Sequence, residues 1–306
     1  MSLPKALVLA GPGTNRDPDA AFALRLAGAD PTIALVDELI EHPSALRSVE
    51  LAVIAGGFSY GDALGAGRML ALDITHSNGG GSDGGRLGEA LREFVAAGKP
   101  LLGVCNGFQV LTRAGLLPGS LGHNDAGHFD CRWVELAKEP DTHCVWTAHA
   151  PDVIHCPIAH GEGRYVHPDP AGLAAAGQVA LRYAGYNPNG SVADIAGVCD
   201  ETGLVLGLMP HPENHSVARQ HPRHRHDPTT EDTLGLGLFT SAVWHVKGGK
   251  ETFPPLEPPI FGAADGPAKH GPSSAPKNLP PSPSYRIFEE EPRAPHCPER
   301  PAEDAS

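Results

Sequence analysis

The stretch Leu101-Leu102-Gly103-Val104-Cys105-Asn106-Gly107-Phe108-Gln109-Val110-Leu111 holds the residue best placed for covalent chemistry in this 306-residue chain. A short apolar run leads directly into Gly103-x-Cys105-x-Gly107 and then into a helical pattern. That arrangement presents a nucleophile on a sharp strand-to-helix turn. Glycines at 103 and 107 let the backbone of the turn lie close to the sheet. A helix starting at about Gly107 points the positive end of its dipole at the sulfur, which favours thiolate over thiol there. A cysteine in apolar surroundings is more commonly a core residue. The two glycines at this spacing favour the nucleophile.

A sulfur nucleophile needs a partner that handles protons. Among 17 histidines, His211 has distinctive neighbours, Leu208-Met209-Pro210-His211-Pro212-Glu213. Two prolines exclude a helix and hold the segment extended after the apolar run Val205 to Met209. Residues i and i+2 of an extended chain project to one side, so His211 and Glu213 are candidates for a base and the carboxylate that orients it. Acyl chemistry also needs donors for an oxyanion. Gly56-Gly57-Phe58-Ser59-Tyr60-Gly61-Asp62, following the run Leu51 to Ala55, offers backbone N–H groups unobstructed by side chains. The loops His160-Gly161-Glu162-Gly163 and Asn187-Pro188-Asn189-Gly190-Ser191 stand out, although neither is specific alone. His211, His215, His221, His224 and His226 form a histidine-rich run. Its proline-broken spacing is unlike a helical HExxH pair, which points to a solvated loop rather than a metal site.

The elements that must position these groups follow from the apolar pattern. Lys5 to Ala10, Thr32 to Val36, Leu51 to Ala55 and Leu101 to Val104 read as short strands covered on both faces. Ala20 to Ala27 and Leu87 to Ala97 read as helices, the second capped by Gly98 with Pro100 beyond. Strands alternating with helices imply right-handed crossovers and a mainly parallel sheet flanked by helices, with ligands beyond the carboxyl ends of the strands. Further strands are expected between Cys131 and Tyr183 and at Ile195 to Val198 and Val205 to Met209. A last helix is expected over Thr233 to Val246, capped by Thr233 or Asp232.

Composition sets the outer limits. Lys and Arg number 23 against 36 Asp and Glu, a net charge of −13, which gives no electrostatic reason to bind nucleic acid or an anionic membrane. No apolar run is long enough to span a bilayer, and the N-terminal apolar segment is too short for a signal peptide, so a cytoplasmic location is expected. The cysteines at 105, 131, 144, 156, 199 and 297 form no CxxC pair, which argues against structural zinc and a disulfide framework. Residues 1–250 are expected to form the globular domain, interrupted by a flexible glycine-rich segment at 77–85. Residues 251–306 carry 14 of the 31 prolines and are expected to be a disordered tail.

Taken in order, GGFSYGD (56–62), GVCNGFQ (103–109), HGEG (160–163), NPNGS (187–191), DIAG (194–197) and GLMPHPE (207–213) resemble the glutaminase subunits of phosphoribosylformylglycinamidine synthase, within the class I glutamine amidotransferases. The resemblance runs from about Lys5 to Val246 and implies a flavodoxin-like α/β architecture. It implies Cys105 as nucleophile, His211 as general base and acid, and Glu213 as the residue orienting the imidazole. It places Gly57 and the backbone of Asn106 in an oxyanion hole, and Gly56, Gln109 and His160 around the glutamine. No metal or cofactor is expected in this chain, which lacks a GxxxxGK[ST] loop. ATP and Mg are expected on a synthetase subunit, the implied partner, with a small bridging subunit as a further candidate. The chain departs from the family pattern at Ala55, where a proline is usual, and at Ala63 to Arg68, where bulky or basic residues are usual. Two alternatives are a glutaminase serving a different synthetase and a non-catalytic regulator on the same fold. The complete Cys, His and Glu set argues against the regulator.

Overall fold

A computed structural model describes residues 2–76 and 86–249. The glycine-rich segment 77–85 and the tail 251–306, for which flexibility and disorder are expected from composition, lie outside the described residues. In chain order the elements are β1 (Lys5–Ala10), α1 (Asp17–Leu26), β2 (Asp30–Leu35), α2 (Val36–Glu41), β3 (Leu51–Ile54), α3 (Arg68–His76), α4 (Leu87–Ala96), β4 (Leu101–Val104) and α5 (Asn106–Arg113). They continue with β5 (Ser120–Gly122), β6 (Asp130–Lys138), β7 (Val153–His160), β8 (Arg164–Val166), α6 (Pro170–Ala175), β9 (Val179–Ala184), β10 (Ile195–Cys199), β11 (Val205–Leu208) and α7 (Leu236–Val246).

Nine strands form one sheet in the order β2-β1-β3-β4-β11-β10-β9-β6-β7, and β5 pairs with β8 separately. The run from β2 to β11 is parallel, as the alternation of strands and helices requires, and β10, β9, β6 and β7 continue it as an antiparallel extension. Helix α1 packs with α7, while α3 packs with α2, α4 and α5, so helices cover the parallel part in two layers. The central strands β3, β4 and β11 are buried at every position. This is why they read as unbroken apolar runs.

Two expectations are corrected. Strand β2 is not covered on both faces: only Pro31 is fully buried, because β2 forms the sheet edge. Helix α7 begins at Leu236 after Gly235, not at Thr233. The chain runs close against Pro212 there, and a side chain at 235 would overlap the Pro212 carbonyl oxygen. The Thr233 hydroxyl instead donates back to the Thr230 carbonyl at 3.4 Å.

Helix α5 lies hard against the sheet at its first turn. A side chain at Gly107 would overlap the carbonyl oxygen of Ile54 on β3. Gly107→Ala is therefore expected to lower stability by at least about 3 kcal/mol through overpacking of a site that cannot give. Thermal unfolding should show a loss of roughly 6–12 °C for a domain of this size. An unchanged midpoint would mean that α5 can lift off β3.

Candidate active site

At the carboxyl end of β4, Cys105 takes a left-handed φ of 50° with ψ of −103°, between the strand and the first residue of α5. A non-glycine residue in this region is strained, and such strain persists only where the surroundings hold it. Here the Cys105 N–H donates to Leu208 O at 2.8 Å and its carbonyl accepts from the Gln109 N–H at 3.1 Å. These bonds tie the turn to β11 and to α5. The residue is 5% exposed, and its sulfur lies 3.9 Å from the Ala159 carbonyl on β7.

Strand β11 ends beside β4 and delivers His211 to the same place. Its N–H donates to Pro157 O on β7 at 2.8 Å, and its Nδ1 lies 2.7 Å from Glu213 Oε1. The pairing expected of these two residues is present, although not through an extended chain: Pro212–His215 forms a 3-10 turn that brings Glu213 back to the ring's Nδ1. Both side chains are buried, at 3% and 1% exposure. Burial alone would lower the His211 pKa. The Glu213 carboxylate first, then charge on the Cys105 sulfur and hydrogen bonds to both, raise it to about 10. Gly56 leaves room for this ring, since a Cβ there would sit 2.8 Å from its Cε1. Gly57, at a φ of 133°, has a conformation that only glycine adopts readily and forms a bridge with Thr14.

A cleft of about 260 Å³ opens on the sulfur, and Gly57, Gln109 and His160 line it with Cys105. Gly56 and Asn106 do not line it. The Asn106 side chain is turned into a relay: Ser59 Oγ donates to its Oδ1 at 2.6 Å, its Nδ2 donates to Gln109 Oε1 at 3.1 Å, and Gln109 Nε2 donates to Glu162 O at 2.7 Å. The relay fixes the loop after β3, the start of α5 and the 160–163 turn relative to one another. The Asn106 N–H, at the first position of α5, has no acceptor within the helix.

Several functional groups were not evident from sequence. Asn124 Oδ1 accepts from the Gly163 N–H at 3.0 Å while its Nδ2 donates to the carbonyls of His128 and His160, so the amide orientation is determined. That oxygen lies 3.1 Å from His160 Nδ1, which must carry the proton. His160 Nε2 is left as a buried acceptor without a protein partner among the described residues. Burial foremost, then the His211 charge, lowers the His160 pKa to about 4, which keeps the ring neutral. The NPNGS loop braces this turn: Asn189 Nδ2 donates to Gly163 O at 2.8 Å and the Ser191 hydroxyl accepts from the Tyr165 N–H at 2.9 Å. The histidine-rich run is not simply solvated. His215 and His221 are 0% and 2% exposed and their rings meet Trp133 edge-on. Among the described residues, no group of three or more His, Cys, Asp or Glu is placed to hold a metal ion. None of their helices is long and apolar enough to cross a membrane.

The CobB/CobQ-like glutamine amidotransferase domain matches residues 3–246. The chain belongs to that glutamine amidotransferase family. Within it, the chain is 42% identical to the phosphoribosylformylglycinamidine synthase subunit PurQ of Treponema denticola over 79% of its own length and 99% of that protein. It is 38% identical to the PurQ subunit of Dehalococcoides mccartyi over 79% and 98%. A chain in the structure of PurLQS from Thermotoga maritima superposes with a TM-score of 0.64 at 35% identity, covering 80% of this chain and 99% of that one. A glutamine amidotransferase from Thermotoga maritima at 17% identity, with a TM-score of 0.50, shares the amidotransferase fold.

Proposed function

We propose that this chain is the glutaminase subunit of phosphoribosylformylglycinamidine synthase, working with a synthetase subunit and a small third subunit. The observation that carries the reading is the strained Cys105, which lines the cleft and is hydrogen-bonded to His211 of the buried His211–Glu213 pair, in a chain that matches PurQ subunits over nearly their whole length. Cys105, with its proton held on His211, attacks the side-chain carbonyl carbon of glutamine as the thiolate. The oxyanion is received by the N–H groups of Gly57 and Asn106. His211, held by Glu213, gives its proton to the leaving nitrogen, and ammonia departs from a glutamyl thioester. Water then gives a proton to His211 and its oxygen to the acyl carbon, releasing glutamate and restoring the thiol. Gln109 and His160 help form the glutamine pocket.

Ammonia is consumed on the synthetase, where ATP and Mg are assigned, since this sequence carries no phosphate-cradling GxxxxGK[ST] loop. Ammonia passed between subunits requires the chain to share the synthetase's compartment, and the cytoplasm is the proposed one. The Gly56-Gly57 loop is held by the Gly57–Thr14 bridge and the Ser59–Asn106 bond, but Gly56 and Asn106 do not line the cleft, so docking of the synthetase is expected to bring the donors to the substrate. Glutamate release by the full chain should rise about 10²–10³-fold on adding the synthetase, its nucleotide substrate and ATP. Equal rates with and without them would remove the gating, and stimulation by a different synthetase would reassign the partner.

A further inference from the structure

Glu213 orients the His211 ring, yet little orients Glu213. Its Oε1 meets His211 Nδ1 at 2.7 Å, while its Oε2 is buried without a hydrogen-bond partner among the described residues. A buried carboxylate with one oxygen unpaired is costly. It takes its position from the backbone of the turn that carries it, Pro212–His215, and stays in place only if that turn does.

The turn is fixed along a free edge of the sheet. β7 is the last strand, paired with β6 on one side only, and Pro157, with no N–H to offer, suits an edge position. Two carbonyls of that edge, two residues apart, are taken by the turn and its lead-in. Pro157 O accepts from the His211 N–H at 2.8 Å, and His155 O lies 2.6 Å from His215 Nδ1. A carbonyl only accepts, so Nδ1 carries the proton. Glu213 thus sits between two fixings to one strand, a peptide N–H at 211 and a ring nitrogen at 215. The ring is itself held, with Trp133 edge-on at 5.2 Å and His221 at 5.3 Å between ring centroids, and the Gly235 N–H donates to His215 O at 2.9 Å. Its titratable neighbours are His221 and His155, whose Nε2 lies 3.4 Å from Glu135 Oε2. Burial foremost lowers the His215 pKa to about 4, against the bond to His155 O, so the ring is neutral.

We propose that His215 is a positioning residue for the amide cleavage, holding Glu213 against His211 through its bond to the His155 carbonyl. The inference rests on the glutaminase reading above and adds what fixes the carboxylate of the triad. His215 touches neither the cleft nor the sulfur, and it acts two steps removed, through Glu213 and then the imidazole. If the bond is lost, the turn can shift along β7, and a carboxylate that moves by about 1 Å no longer holds the charge on the ring.

The test pairs two variants that each keep one property of the imidazole. His215→Phe keeps a ring against Trp133 and removes the donor, whereas His215→Asn keeps an N–H in the place of Nδ1 and removes the ring. Ammonia release from glutamine is followed against pH in the full chain assembled with its synthetase subunit, and the His211 Nδ1 proton is followed by NMR in the full chain alone. In His215→Phe, kcat is expected to fall about 10- to 100-fold with KM unchanged. Its alkaline limb should move toward neutrality and the downfield His211 proton signal should be lost. His215→Asn should keep the wild-type limb and signal, although the missing ring lowers its melting midpoint. A limb and signal at wild-type values in His215→Phe overturn the inference. A shifted limb in His215→Asn overturns it as well, because the donor is still present and packing of the ring would be the cause. Wild-type assembly that releases no ammonia from glutamine overturns the glutaminase reading and this inference with it.

Discussion

Replacement of Cys105 by alanine should abolish glutamine hydrolysis, with a loss of about 10⁴-fold or more in rate, while the fold survives. The argument is structural as well as chemical. Alanine fills the same small volume in the turn between β4 and α5, and the two bonds that hold the turn are made by the Cys105 backbone, not by its sulfur. What disappears is the atom that bonds to the substrate carbon. The control lies in the other thiols: Cys144, Cys156 and Cys199 are buried in the core away from the cleft and Cys131 is exposed. Glutamate release by Cys105→Ala within tenfold of wild type, at an unchanged melting midpoint, would remove Cys105 from the chemistry.

His211→Asn should be nearly as damaging, at about 10³–10⁴-fold, because the proton that leaves the thiol and the one that reaches the departing nitrogen pass through the same ring. Glu213→Gln should be milder, at about 10²-fold, since it keeps shape and loses charge. The pH profile separates the two roles. Burial pulls the His211 pKa down, and the Glu213 carboxylate is the first of the groups that lift it to about 10. Without that carboxylate the ring gives up its proton at lower pH, so the alkaline limb of activity should move toward neutrality in Glu213→Gln. A limb that stays in place would show that Glu213 does not set the charge on the imidazole. The double variant Cys105→Ala with His211→Asn should be no slower than Cys105→Ala alone, because the two residues act as one unit.

The nucleophile turn and the proton-handling pair were legible in the sequence because each rests on local chemistry. Gly103 and Gly107 around Cys105 report a backbone with no room for side chains, and Pro210 and Pro212 around His211 rule out a helix. Residues whose meaning comes from a distant partner could not be read that way. Asn124 fixes the His160 tautomer across 36 positions, and Glu162 meets the Ala66 N–H across 96. No pattern within either segment records the meeting. The burial of His215 and His221 depends likewise on Trp133, which β6 brings over them. The exposure of β2 was hidden for a topological reason, since an edge strand and a central parallel strand can carry the same run of apolar residues.

The strand order has a consequence for how the protein is made. β4 carries the nucleophile and pairs with β3 on one side, but its other neighbour, β11, begins 100 residues later at Val205. While the intervening chain emerges from the ribosome, an entirely apolar strand shows an unpaired backbone edge, which is a template for association with other chains. On the proposed mechanism the same order keeps the nascent protein chemically silent, because the Cys105 thiol emerges long before the His211 imidazole. On that mechanism, competence to cleave amides arrives with β11, which closes the exposed edge and leads straight into His211 and Glu213.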